Sequence, residues 1–124
     1  MEQTGSMLQA ATWLFVLTAL GGLAMAGIRF AGKRNPPAWL AMGHGGLAVA
    51  GVALLAYAVL AFDLGGAAAW SLLLFLVAAG GGTILFLAYE WERRLLPAWL
   101  VLVHAAVAII AFVLLVLAAF GQAV

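Results

Sequence analysis

Two histidines, His44 and His104, are the only ones in this 124-residue chain, and they stand sixty positions apart. Each follows a proline by seven residues, His44 after Pro37-Ala38-Trp39-Leu40 and His104 after Pro97-Ala98-Trp99-Leu100. A neutral imidazole has one nitrogen to donate a proton and one lone pair to give a metal, so two converging imidazoles can hold one metal from opposite sides. The same rings can instead hydrogen-bond a backbone carbonyl or a neighbouring helix. Few other chemistries are open. With no cysteine, disulfides, thiolate metal sites, iron–sulfur ligation and covalent c-type haem attachment are excluded. There is no Ser–His–acid set, no glycine loop before a basic residue to cradle phosphate, and no zinc-type cluster. A bare divalent ion would want more than two ligands.

The elements that must carry the histidines are set by composition. Hydrophobic residues make up 69% of the chain and charged residues 7%, too little polar surface for a water-soluble domain. Crossing a bilayer core of about 30 Å takes roughly 20 apolar residues. Four segments reach that length, at about 7–30, 37–62, 67–89 and 97–120, within a single membrane domain covering 1–124. The expected partner is the lipid bilayer. Nucleic acid has no exposed surface to bind.

Displaced by sixty residues, the sequence lies on itself without a gap. Leu14-Phe15 meets Leu74-Phe75, Gly21-Gly22 meets Gly81-Gly82, Arg34 meets Arg94, the two Pro-Ala-Trp-Leu runs coincide, and His44 meets His104. The expected fold is therefore an all-α four-transmembrane-helix bundle of two tandem helical hairpins, repeat 1 at about 7–62 and repeat 2 at about 67–120. Two crossings separate the copies, so they run in the same direction, related by a pseudo-twofold axis along the membrane normal. Equivalent residues then share one depth and can face each other.

All five basic residues, Arg29, Lys33, Arg34, Arg93 and Arg94, lie where segments one and three join the next. The positive-inside rule puts loops 31–36 and 90–96 in the cytoplasm and both termini outside, in a multi-pass protein of a bacterial-type inner (plasma) membrane. Each proline opens a helix at its first turn, where a missing N–H costs nothing. Trp39 and Trp99 follow at the depth where indoles anchor in the headgroups.

By the same depth scale, at ~1.5 Å per residue, each histidine sits about 10 Å below the cytoplasmic boundary. Ionisable side chains so placed are costly and mark functional sites by default. Haem b suits two histidines at one depth on parallel helices, as axial ligands to a shared iron. Gly21, Gly22, Gly81 and Gly82 lie near that level and offer clearance for a macrocycle, or close helix packing through small-xxx-small pairs such as Gly22 and Ala26. Arg34 and Arg94 offer partners for haem propionates.

In this arrangement His44 and His104, in their glycine-rich setting, resemble the ligands of small four-helix b-type membrane cytochromes. Examples are the cytochrome b561 type and the membrane anchors of succinate dehydrogenase. The resemblance spans the chain in architecture and rests on these two residues. It implies electron transfer, with quinol as a candidate partner. The b561 type carries four ligating histidines for two haems, so one haem per chain is the most expected here. A second class of function is a cofactor-free accessory subunit, braced among other membrane subunits or in a homo-oligomer. Proton-coupled drug export would need a buried carboxylate, yet Glu2, Asp63, Glu90 and Glu92 all lie near segment ends.

Overall fold

The computed structural model describes residues 2–121. Four helices follow in order: α1 at Glu2–Ala31, α2 at Ala38–Ala61, α3 at Gly66–Ile84 and α4 at Ala98–Phe120. The α3 axis continues through a π-helical turn at Leu85–Glu90. Each of the four is long and apolar enough to cross a membrane, at 30, 24, 25 (with the π turn) and 23 residues. At ~1.5 Å per residue they measure about 35–45 Å. α1 starts five residues ahead of the Met7 start set by hydropathy. Glu2 in its first turn suits the positive end of the helix dipole, so the helix continues into the polar residues before Met7.

Pro37 and Pro97 take extended backbone as N-caps, and the helices begin one residue later. Proline's fixed φ and missing N–H are tolerated there because that amide has no intrahelical partner. The turn between α2 and α3 closes on Asp63 at φ 51°, with Leu64 N–H donating to the Val59 carbonyl at 2.9 Å. That six-to-one bond is the Schellman motif, with Asp63 in the left-handed place usually given to glycine. Lys33 and Arg93, sixty positions apart, are also left-handed, at φ 54° and 56°.

α1 packs mainly on α2 and α3 on α4, while α1 also touches α4 and α2 touches α3. The helices thus form a ring in which α2 and α4, the histidine helices, lie across a diagonal. Packing is uneven along the bundle. Leu8, Ala11, Phe15, Leu55, Ala58, Val59, Ala68, Phe75, Ala111, Leu115 and Ala119 form one core in the half near Glu2 and Asp63. At the end of this core toward the histidines the Phe15 and Phe75 rings stack with centroids 3.7 Å apart and planes within 3°. Ser71, fully buried, donates across to the Ala111 carbonyl at 2.8 Å. The other half is open: in 19–50 only Pro36 is buried, and in 79–110 only Leu85 and Leu96. In lipid, helices associate by close packing rather than by expulsion of water, so the tight half holds the bundle together.

The far end of the open half is clasped. Asn35 donates through Nδ2 to the Arg94 carbonyl at 2.7 Å and accepts at Oδ1 from Leu96 N–H at 2.9 Å. Arg29 Nε donates to the Leu96 carbonyl at 2.7 Å. These bonds join the two basic loops. Asn35→Ala removes two of them and is expected to lower stability by about 1–3 kcal/mol, read as a fall in thermal midpoint in detergent.

Candidate functional site

His44 projects from α2 toward α1, where its Nδ1 lies 2.8 Å from the Thr18 carbonyl. A carbonyl only accepts, so Nδ1 carries the proton and Nε2 presents its lone pair. The approach depends on two missing side chains. A Cβ on Gly22 would stand 3.1 Å from His44 Cε1, and one on Gly21 3.6 Å from His44 Cβ. The Thr18 hydroxyl is turned away, bonded to the Leu14 carbonyl at 2.9 Å.

His104 has a corresponding seat on α3. A Cβ on Gly82 would lie 3.1 Å from His104 Cε1, and one on Gly81 3.7 Å from its Nδ1. Its Nδ1 is buried and faces the backbone of Ala78, sixty positions on from Thr18, in a looser geometry than the Thr18–His44 bond. The two imidazoles meet across the diagonal with ring centroids 6.3 Å apart and planes inclined by 68°. Between them and the Phe15–Phe75 stack lies a cavity of about 60 Å³, walled by Thr18, Ala48, Val52, Ala78, Ala79 and Ala108.

The structure thus brings together His44, His104 and all four of the glycines. The glycines give their room to the histidine rings themselves. Arg34 and Arg94 are exposed on the loops. Arg94 is engaged there, donating to the Ala88 carbonyl at 3.2 Å and lying 4.6 Å over the Tyr89 ring. Arg29 is instead the arginine that reaches from one hairpin to the other. Among the described residues no three His, Cys, Asp or Glu side chains are grouped to hold a metal ion.

A second, polar cavity of about 320 Å³ opens between the loops, lined by Asn35, Pro36, Glu90, Arg93 and Leu95. Glu90 Oε1 lies beside it without a hydrogen-bond partner. Sequence reasoning missed Asn35, whose counterpart sixty positions on is Leu95, so no repeated motif drew attention to it. It also missed the π turn; such turns often accompany functional sites.

With Nδ1 of His44 bonded to the Thr18 carbonyl, its Nε2 is the nitrogen free to bind a ligand or donor. Space is the stricter test, because cofactor-sized pockets run to roughly 300–1,000 Å³. The cavity of about 60 Å³ beside the rings is too small for a macrocycle in this arrangement of the helices. Comparison with protein-family models, curated proteins and solved structures finds no match to this chain.

Proposed function

We propose that this chain is a membrane electron-transfer protein in which His44 and His104 are the axial ligands of one haem b, acting alone or within a larger redox complex. The observation that carries the reading is the facing imidazole pair at 6.3 Å, each ring seated on a glycine pair. When bound, haem supplies a one-electron couple. The chain's own part is to hold the rings: the Thr18 carbonyl fixes the tautomer of His44, and the glycines fix the ring planes. Quinol is the candidate electron donor or acceptor.

The same reading takes the chain as a duplicated hairpin about a pseudo-twofold axis. Support comes from pairs sixty positions apart: stacked Phe15 and Phe75, facing His44 and His104, and left-handed Lys33 and Arg93. Loops 31–36 and 90–96 are cytoplasmic by their basic residues, in an inner-membrane orientation with both termini outside.

The narrowness of the enclosed cavity favours a second reading, a cofactor-free accessory subunit whose histidines are structural hydrogen-bonding groups. Absorption spectra of detergent-purified protein, oxidised and dithionite-reduced, separate the two. The cytochrome reading expects a Soret band and a sharp reduced α-band in the wild type, both lost in His44→Ala. A featureless visible spectrum from protein isolated from its native membrane would leave the accessory subunit standing.

A further inference from the structure

The polar cavity between the loops, about 320 Å³, is separate from the histidine pair and falls in the range of small-ligand pockets, roughly 300–1,000 Å³. Glu90 and Arg93 bring opposite charges to its wall, and Asn35, Pro36 and Leu95 complete it. Arg93 N–H donates to the Glu90 carbonyl at 3.1 Å, so one turn holds the acid and the base together. The Glu90 Oε1 is buried and has no hydrogen-bond partner among the described residues. A buried carboxylate oxygen without a donor is costly, so this atom calls for one from outside the chain. Asn35 is turned instead to the backbone of the other loop, at Arg94 and Leu96. The wall is built in one hairpin only. The π turn of Leu85–Glu90 ends on Glu90, whereas α1 runs α-helical through Ala31, with Phe30 sixty positions before Glu90. The cavity also lies at headgroup depth. Its wall residue Leu95 and the adjoining Trp91 are more than half exposed, as are Trp39 and Trp99, and indoles so placed anchor at the membrane–water interface.

We propose that this cavity binds the headgroup of phosphatidylethanolamine from the leaflet on the side of the basic loops, its primary ammonium donating to Glu90 Oε1 and its phosphate lying against the Arg93 guanidinium. A zwitterion with a short spacer matches an acid and a base carried by one turn, through two charge-assisted contacts. Phosphatidylcholine carries the same two charges, but its quaternary nitrogen has no N–H to give. Phosphatidylglycerol would set an uncompensated negative charge beside Glu90. The site stands whether or not the histidines hold a haem.

The experiment equilibrates the detergent-purified chain with an equimolar mixture of phosphatidylethanolamine, phosphatidylcholine and phosphatidylglycerol of identical acyl chains. Lipid retained per chain after gel filtration is then counted by mass spectrometry of the extract. High salt screens the general attraction of basic loops for anionic lipid. The wild type is expected to retain phosphatidylethanolamine in roughly 10–100-fold preference to the other two, the worth of one charge-assisted hydrogen bond. Glu90→Gln keeps the shape of the side chain and loses its charge, and is expected to retain phosphatidylethanolamine and phosphatidylcholine alike. Arg93→Asn, a residue suited to the left-handed backbone there, is expected to retain less of both. Equal retention of the two zwitterions by the wild type overturns the proposal, as does a preference for phosphatidylglycerol. A wild-type pattern in either variant overturns it as well. Soluble glycerophosphoethanolamine at the same concentration is expected to displace little of the lipid; full displacement would make the ligand a free headgroup and overturn its assignment to the bilayer. The wild-type comparison decides the matter even where a variant fails to fold.

Discussion

Gly22→Val is expected to weaken haem retention by roughly 10–100-fold, the range for losing an outer-shell contact to a metal ligand. The Cβ alone would stand 3.1 Å from His44 Cε1, and the added methyls of valine leave the ring no room against α1. The imidazole must swing away, which also breaks its bond to the Thr18 carbonyl. Gly82→Val should displace His104 in the same way, from the same 3.1 Å approach. Gly27→Val is the matched control, since nothing lies within 4 Å of a Cβ there, and it should retain haem as the wild type does. The readout is the haem-to-protein absorbance ratio after purification. Equal ratios in all three variants would mean that the glycine seats have no part in holding a cofactor.

Gly51→Val should have the largest effect on stability. A Cβ at this position would lie 2.8 Å from the Phe15 ring, and Phe15 is itself held by Phe75, stacked on it at 3.7 Å. Overpacking a tight core costs about 1–3 kcal/mol, and a lost aromatic stack about 0.5–1.5 kcal/mol more. Unfolding in mixed detergent should therefore show a loss of about 2–4 kcal/mol. The double variant Phe15→Leu with Gly51→Val should recover part of it, because the smaller side chain vacates the space the valine enters. Full stability in Gly51→Val would contradict the assignment of the Phe15–Phe75 stack to the bundle's tight core.

Much of the architecture is legible in the residues. Apolar length alone delimits four helices, and the prolines at 37 and 97 mark the starts of α2 and α4 to within a residue. The recurrence of Gly-Gly and His sixty positions apart is visible in the residues, and Gly21-Gly22 and Gly81-Gly82 lie against the two rings. What the glycines do there was not legible. Helices apolar on every side have no polar face to reveal their inward side, so clearance for a ring system and a seat for an imidazole read identically. The uneven packing was hidden for the same reason: alanine and glycine fill both the tight and the open half. Asn35 escaped notice because its worth lies in two backbone groups of the other loop, at Arg94 and Leu96. Such backbone contacts leave no trace in side-chain pattern. The left-handed turns at Lys33 and Arg93 were equally silent, since neither residue type favours that conformation.

The most direct test of the central claim is the haem content of the protein isolated from its native membrane, measured as extracted haem b per chain. One haem per chain in the wild type is the predicted result. A chain that purifies intact, helical and free of haem would contradict the account, and would assign His44 and His104 to holding helices together.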